Sequence, residues 1–359
     1  MAELSLIIPI YNEEKFLEQI VQKTLSSLKD VDLELILVDD CSTDRSLEIA
    51  QKLECNNIKV LHHKENQGKG AALKTGFMAA SGKYIGIQDA DDEYDPNDYL
   101  KLLKPLREDK ADICFGSRYL QRKTRRVLSF WHTFMNKGLT LLTNMYTNLD
   151  ITDMETCYKL FKKEVIQQIA PKLKENRFGF EPEVTIYVAQ GNYRVYECAI
   201  SYNPRTYAEG KKIGAKDGLR AIYCILHYGA YKAAIPMQFI LYIIIGALSA
   251  LVNILAFMLL VKGFGLLLSI IAAFVISALV NYLLCIALLF RHKARWSSFG
   301  EIITYIITVI FMCALDYWVT DVLLLLGLGN FFSKSLSSLI GVFGNFALRK
   351  WFVFGKIKN

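Results

Sequence analysis

Two stretches of this chain carry no charge over a length sufficient to cross a bilayer. Residues 236–261 and 266–290 contain no Asp, Glu, Lys or Arg. A spanning helix needs about 20 predominantly apolar residues, and both runs satisfy that. A third run, 302–326, is apolar apart from Asp316 and Asp321, and a fourth, about 335–354, ends in Arg349 and Lys350 and an aromatic tail. Up to about Tyr231 the pattern is that of a soluble α/β domain. The mean hydropathy of +0.24 and the 53% hydrophobic content reflect this mixture. They exclude a disordered chain, which needs low hydrophobicity and strong net charge. With 22 Gly and only 7 Pro, collagen-like and low-complexity classes are excluded too. The eight cysteines are scattered without a CxxC pair, which argues against a zinc site or disulfide framework and fits a reducing compartment.

The net charge of +7 says less than its distribution. Arg291, Lys293 and Arg295 follow the second run, and Arg349, Lys350, Lys356 and Lys358 cluster at the C-terminus. The other loops carry only Lys262 and Lys334. Basic loops stay on the cytoplasmic side, so the expectation is four spans with both termini cytoplasmic. The N-terminus lacks a basic, then apolar leader, which predicts that the soluble domain stays in the cytoplasm.

The membrane half repeats itself at an offset of 64 residues without a gap. Gly263-Phe264-Gly265 recurs as Gly327-Leu328-Gly329, Asn281-Tyr282 as Asn345-Phe346, and Phe290 as Phe354. Two tandem helical hairpins are predicted. A buried amide in a span usually bonds another helix, which is the expectation for Asn281 and Asn345. Asp316 is read either as a packed polar contact or as part of a substrate path, because a carboxylate at that depth is costly.

In the soluble half, apolar strand-like segments at 4–10, 33–38, 58–61, 84–88 and 113–115 alternate with amphipathic helical segments such as 71–80. That alternation predicts a mostly parallel sheet, whose ligands bind beyond the carboxyl ends of its strands. The polar punctuation falls there: Tyr11-Asn12-Glu13, Asp39-Asp40, Asp89-Ala90-Asp91-Asp92-Glu93 and Arg118. Ser42 or Asp44 is expected to cap the helix after the second strand.

Asp89, Asp91 and Glu93 recur at every second residue after the fourth strand, a spacing that can converge on one hard cation such as Mg2+ or Mn2+. Such an ion stabilises a departing diphosphate as a Lewis acid. The alternative is a solvated acidic turn, which is the reading for Asp92, Asp95 and Asp98. Lys69, in a Gly-Lys-Gly turn opening a helix, is either a phosphate contact or an exposed lysine. No GxxxxGK[ST] or GxGxxG is present, which disfavours P-loop and Rossmann dinucleotide enzymes. His62-His63 reads as a surface pair.

Together Ile7-Ile8-Pro9-Ile10-Tyr11-Asn12-Glu13, Val38-Asp39-Asp40-Cys41-Ser42-Thr43-Asp44, Gly68-Lys69-Gly70-Ala71-Ala72, Asp89-Ala90-Asp91 and Gly116-Ser117-Arg118 resemble family 2 glycosyltransferases of the GT-A fold. Within that family the pattern is similar to the polyprenyl-phosphate sugar synthases, such as the dolichol-phosphate mannose synthases. The membrane half resembles a GtrA-type module on Asn345-Phe346 and Trp351-Phe352-Val353-Phe354. The resemblance implies that Pro9, Tyr11, Glu13, Asp39, Asp40, Lys69, Asp89, Ala90 and Asp91 line the nucleotide-sugar pocket. It implies Asp89, Asp91 and Glu93 as metal and diphosphate ligands, Glu93 standing where many relatives have Gln. Asp89, Asp91 and Arg118 form the catalytic set. Arg118 also faces the acceptor phosphate, and His132 falls where mannose synthases often carry Arg. Asp153 is placed near the donor sugar; Glu183 either orients a helix or touches the acceptor side.

The acceptor chemistry agrees with this subgroup. A hydroxyl acceptor needs a base to take its proton, whereas a lipid phosphate is already anionic and needs cations. Arg118, Arg205, Lys211 and Lys212 are suitable, or they form a generic headgroup patch. Residues 213–232 read as an interfacial helix with Leu219, Ile222, Tyr223, Ile225 and Leu226 on one face, the alternative being an ordinary docking helix. The expected organisation is a cytoplasmic GT-A domain over 1–210, an interfacial segment over 211–234 and a four-helix membrane domain over 235–359, in a bacterial or archaeal plasma membrane. The expected activity is inverting transfer of one sugar from GDP-mannose or a UDP-hexose to a dolichyl or undecaprenyl phosphate. Two rivals remain. A processive polysaccharide synthase would carry a Gln-x-x-Arg-Trp motif; the nearest string, His292-Lys293-Ala294-Arg295-Trp296, has the wrong first residue. A lipid-linked-sugar flippase or scaffold rests only on the intramembrane carboxylates.

Overall fold

The computed structural model describes residues 2–120, 126–204, 215–260, 262–290 and 298–354. The chain divides into two compact units, Met1–Lys232 and Ala233–Asn359.

In the first unit β1 (Leu4–Ile10) and β2 (Leu33–Asp39) are almost wholly buried. Continuous apolar runs of this kind belong at the centre of a parallel sheet covered on both faces. They pair in parallel with each other, β2 with β3 (Ile58–His62), and β1 with β4 (Tyr84–Ile87). Beyond β4 the sheet continues through β6 (Lys159–Lys162), β5 (Ile113–Ser117) and β7 (Val195–Ala199), in the order β3-β2-β1-β4-β6-β5-β7. β6 runs antiparallel to both its neighbours, while β5 and β7 are parallel. The mostly parallel α/β sheet is as expected; β6 and β7 extend it beyond the five strands read from sequence.

The helices of this unit are α1 (Leu17–Ser27), α2 (Ser46–Leu53), α3 (Lys69–Ala79), α4 (Tyr99–Arg107), α5 (Phe130–Thr147), α6 (Lys163–Ile169), α7 (Phe180–Gln190) and α8 (Ala215–Cys224). Phe77 of α3 stacks on Phe180 of α7 at 6.0 Å and meets Phe161 of β6 edge-on at 6.4 Å, which fastens two helices to the sheet. Helix α2 starts at Ser46, and Asp44 is its anchor: one carboxylate oxygen accepts the Ser46 N–H at 2.9 Å and the other the Glu14 N–H at 3.2 Å. Ser42 instead accepts the Asn12 N–H at 3.1 Å. The expected helix is helical throughout its described part, α8 continuing into a wide turn at Ile225–Gly229 and a tight one at Ala230–Lys232.

The second unit is helical. α9 (Ile235–Leu260) packs on α10 (Leu266–Leu284), and α11 (Ser298–Leu325) on α12 (Asn330–Ala347). Among the described residues, two segments are long and apolar enough to count as candidate spans, Ile235–Leu260 and Ala272–Phe290. The 64-residue repeat has a structural counterpart. Gly265 and Gly329 both precede their helices in extended conformation. The hydroxyls of Ser269 and Ser333 donate to the Phe264 and Leu328 carbonyls at 3.4 and 3.3 Å. Both second helices end in a wide turn, Cys285–Phe290 and Leu348–Val353. Asn281, half-buried, donates to Ser249 of α9 at 3.0 Å, the interhelical bond expected of an amide in a span. Asp321 is exposed, and the side chain of Asp316 lies outside the described residues.

Candidate functional site

Four parallel strands end at one edge of the sheet. The register sets Ile10 opposite Asp39 and Asp39 opposite His62, and the Gln88 N–H donates to the Ile7 carbonyl at 2.9 Å. The antiparallel β6 begins at that same edge, since Leu160 lies opposite Gly86. Four polar segments therefore meet there: residues 11–13, 39–40, 88–93 and 153–158.

On the β1–β2 side, Pro9 is half-buried and Tyr11 exposed, while Asn12 has φ +54° and Glu13 follows on the loop. Asp39 is fully buried. Its Oδ2 accepts the Ser42 N–H at 3.1 Å and faces His62 Nδ1 at 3.0 Å, while its Oδ1 is buried without a partner. An unpartnered buried carboxylate oxygen is costly unless a ligand supplies a donor. Asp40 has a different task. It accepts the Gln67 and Gly68 N–H groups at 3.0 and 2.6 Å and faces His63 Nδ1 at 2.8 Å, which brackets the turn into α3. His63 is correspondingly buried and reaches Thr75 at 2.9 Å through its other nitrogen, so the surface reading of the histidine pair fails for it.

That turn is tightly held. Gly68, at φ +102°, and Gly70 lie so close to the 175–177 backbone that a Cβ would come within 2.4 Å of the Asn176 carbonyl oxygen and 2.3 Å of the Glu175 one. Lys69 between them turns inward. Its Nζ contacts Asp89 at 2.9 Å and Glu181 at 3.2 Å. Burial opposes its charge, but the two carboxylates outweigh that and hold the lysine well above its ordinary pKa. Lys69 is thus a buried cation on the first acidic residue of the run, not an exposed lysine.

Arg118 follows β5 and is almost fully buried. Its Nε and Nη2 donate to both oxygens of Asp153 at 2.7 and 2.8 Å, and its backbone N–H donates to Asp153 as well, at 2.9 Å. Its guanidinium lies 5.0 Å over the Tyr202 ring, and the Tyr202 hydroxyl donates to Glu93 at 3.0 Å. Tyr202 therefore bridges the acidic run and the arginine. Burial works against the guanidinium charge, and Asp153 more than restores it. On α5, the Asn136 amide reaches the Tyr119 hydroxyl at 3.4 Å and His132 Nδ1 at 3.5 Å, and Arg118 lies over the Tyr119 ring at 5.7 Å, so Asn136 and Tyr119 stand between His132 and Arg118. Arg205, Lys211 and Lys212 lie outside the described residues.

Three groups in this floor were not assigned roles by sequence reasoning. Lys159 donates to the carbonyls of Met154, at 2.8 Å, and Thr156. Burial lowers its pKa. Glu155 and Glu181 each keep one buried oxygen without a partner, and burial together with the Glu181 charge raises Glu155 to about 7. The signal for the two glutamates was the polar character of 153–158 and 178–183; Lys159, just beyond the first, had none of its own. Glu183 is a structural anchor, its carboxylate accepting the backbone N–H groups of Lys174 and Glu175.

The Asp89–Glu93 run suits a hard divalent cation by its donor chemistry, all carboxylate oxygen on a loop at the strand ends. It is not preassembled: among the described residues no three His, Cys, Asp or Glu side chains converge as metal ligands. Asp89 is paired with Lys69, and Glu93 with Tyr202. Mg2+ is commonly held by one or two carboxylates together with substrate phosphates, so incomplete convergence remains compatible with a metal. Ala90 is buried beneath the loop.

Helix α5 has an apolar face in the open. Phe130, Trp131, Phe134, Met135, Leu141 and Met145 recur at helical spacing and are 43–71% exposed. Leu219 of α8 is 69% exposed as well. Exposed apolar stripes of this size mark interaction surfaces.

Residues 5–170 match the model of Glycosyl transferase family 2, and residues 241–354 that of GtrA/DPMS, transmembrane domain. The chain is 26% identical over 355 residues to a dolichol-phosphate mannosyltransferase of Pyrococcus furiosus, covering 97% of both chains. It is 31% identical over 205 residues to a dolichyl-phosphate beta-glucosyltransferase of Drosophila melanogaster, covering 52% of this chain and 63% of that one. It is 27% identical to a UDP-N-acetylglucosamine–dolichyl-phosphate N-acetylglucosaminyltransferase of Methanococcus voltae, covering 62% and 94%. Among solved structures, glucosyl-3-phosphoglycerate synthase from Mycobacterium tuberculosis with Mn2+, UDP and phosphoglyceric acid aligns at 18% identity and a TM-score of 0.49, over 63% of this chain and 78% of that one.

Proposed function

We propose that this chain, in which a family 2 glycosyltransferase domain precedes a GtrA/DPMS transmembrane domain, moves one sugar from a nucleotide sugar to a polyprenyl phosphate at the cytoplasmic membrane face. The observation that carries the reading is one sheet edge bearing the Asp89–Glu93 run and the buried Arg118–Asp153 pair, bridged by Tyr202.

Pro9, Tyr11, Glu13 and Asp39 border the donor nucleotide, and the lone Oδ1 of Asp39 accepts one of its N–H groups. Asp40 acts through the turn it brackets. Lys69 and Ala90 lie against the donor diphosphate. Asp89, Asp91 and Glu93 would hold Mg2+ or Mn2+, which supplies Lewis-acid stabilisation of the departing diphosphate. Arg118, with His132, Arg205, Lys211 and Lys212, draws the acceptor phosphate into place, and Asp153 fixes the plane of the Arg118 guanidinium. An acceptor phosphate oxygen then attacks the anomeric carbon from the face opposite the nucleoside diphosphate. The new C–O bond forms as the bond to the diphosphate breaks, and the configuration inverts. The nucleophile is already anionic, so no base is needed.

The membrane arrangement of this reading is the domain division 1–210, 211–234 and 235–359. It has four spans, both termini cytoplasmic, and α8 and the apolar face of α5 seated in the headgroup layer. The test is transfer by detergent-purified protein with Mn2+ and a polyprenyl phosphate, scanning GDP-mannose, UDP-glucose, UDP-galactose and UDP-N-acetylglucosamine. A lipid-linked monosaccharide from one donor, lost with EDTA, is expected. Polymer from any donor, or donor binding without lipid product, would move the assignment to polymer synthesis or to lipid transport.

A further inference from the structure

A single buried carboxylate joins the donor side of the first unit to α8, on which Leu219 and Tyr223 are exposed. The backbone of residues 174–177 rests on the first turn of α3: the Ala71 N–H donates to the Asn176 carbonyl at 3.1 Å, and the closeness at Gly68 and Gly70 leaves no slack. Glu183 holds this loop from below through the Lys174 and Glu175 N–H groups, at 2.9 and 2.8 Å. The Glu175 side chain points the other way and is 5% exposed. It accepts two hydrogen bonds from Arg220 of α8, at 2.9 and 2.8 Å, and one from the Tyr228 hydroxyl at 3.0 Å. The segment that touches α3 is therefore also the segment that clamps α8.

We propose that Glu175 is a positioning residue that couples the seating of α8 to the Lys69 turn, so that donor affinity depends on that seating; this rests on the transferase reading above. Without the Arg220 fork, the carboxylate is buried with only neutral partners, the Tyr228 hydroxyl and the Cys224 thiol, and has to relax. Its backbone moves with it, and close-packed neighbours transmit small displacements instead of absorbing them. The displaced atoms are those against Gly68 and Gly70, on either side of the lysine that contacts Asp89. A bilayer that holds Leu219 and Tyr223 fixes α8 and hence the turn.

The test compares full-length wild type, Arg220→Met and Glu175→Gln in lipid nanodiscs. Arg107→Met is a matched control, because Arg107 makes the same two-pronged contact to Glu3, at 2.7 and 2.9 Å, away from the site. Mn2+ with GDP-mannose, UDP-glucose and UDP-N-acetylglucosamine are the probes. Both test variants should bind the accepted donor roughly tenfold more weakly, the scale of one charge-assisted hydrogen bond. Donor KM should rise with little change in kcat, and amides 69–72 should exchange faster, while the control stays as wild type. If both variants melt earlier but keep wild-type donor affinity and wild-type exchange at 69–72, Glu175 is only a structural clamp and the inference is overturned. If the wild type binds no donor, the transferase reading falls and the donor half of the inference with it; exchange at 69–72 then decides the link itself.

Discussion

Both units bury cations, and they partner them differently. At the sheet edge Arg118 meets Asp153 and Lys69 meets Asp89 and Glu181, while Lys159 beneath them donates to backbone carbonyls. In the second unit, Arg349 donates to the Asn281 amide and to the Tyr305 hydroxyl at 3.1 Å, and lies over the Tyr242 and Tyr305 rings at 5.5 and 4.7 Å. Lys350 donates to Gln238 at 2.7 Å. Among the described residues these partners are all neutral. Ion pairs at a ligand edge can be exchanged for phosphates and metal; neutral hydrogen bonds and aromatic faces hold helices together. The contrast teaches that the chemistry belongs to the first unit and that the polar groups described in the second serve assembly.

The largest effect is expected where that contrast is sharpest. Asp91→Asn keeps shape and removes charge from the acidic run, so transfer should fall roughly a thousandfold, several kcal/mol of transition-state stabilisation. Melting should be unchanged. An Asp91→Asn enzyme within tenfold of wild type would remove the acidic run from the mechanism. Arg118→Lys should cost less, roughly ten- to a hundredfold, and mainly in acceptor KM. Lysine is a point charge and cannot reproduce the fork on Asp153. Saturation kinetics against a short-chain polyprenyl phosphate would check this; an effect on donor KM alone would put Arg118 on the other side of the site.

The opposite outcome is expected in the second unit. Arg349→Met should leave donor binding by the first unit intact while lowering thermal stability in detergent by about 1–3 kcal/mol, the scale of losing hydrogen bonds to one charged group. Separate melting of the two units, followed by hydrogen exchange, reads this directly. Loss of transfer with unchanged melting would break the comparison, because it would give the buried arginine a part in the chemistry.

Much of this contrast was legible in the chain. The five strands read from it are all strands of the sheet, because long apolar segments such as Leu6–Ile8 have no other place to go. The 64-residue repeat anticipated two matching helical hairpins with glycines at equivalent positions; the paired serines and wide turns emerge only in the structure. What was not legible depends on the third dimension. β6 is only Lys-Leu-Phe-Lys, too short for a pattern, and its antiparallel entry is what brings Asp153 to Arg118. The apolar face of α5 has helical spacing, but sequence alone does not separate a face turned to the core from one turned outward. The inward turn of Lys69 is not legible in the sequence either, since its partners Asp89 and Glu181 stand 20 and 112 positions away.

The smallest effect belongs to Glu155, and its sign follows from linkage. Burial, then the charge of Glu181, raises its carboxyl to about 7, above the ordinary value near 4.3. Between those two values the folded state holds a proton that the unfolded chain has released. The folded state therefore binds more protons there, and stability falls as pH rises through the window. Below it the group is neutral in both states and contributes no penalty; above about 7 the penalty is complete. Glu155→Gln keeps the shape and cannot ionise. It should melt with wild type at pH 4, before the window opens, and higher than wild type at pH 8, where the penalty is complete. Equal melting at both values would mean that Lys159 compensates the charge. The buried floor of the first unit would then be ion-paired throughout, and the contrast with the neutral cage around Arg349 would be complete.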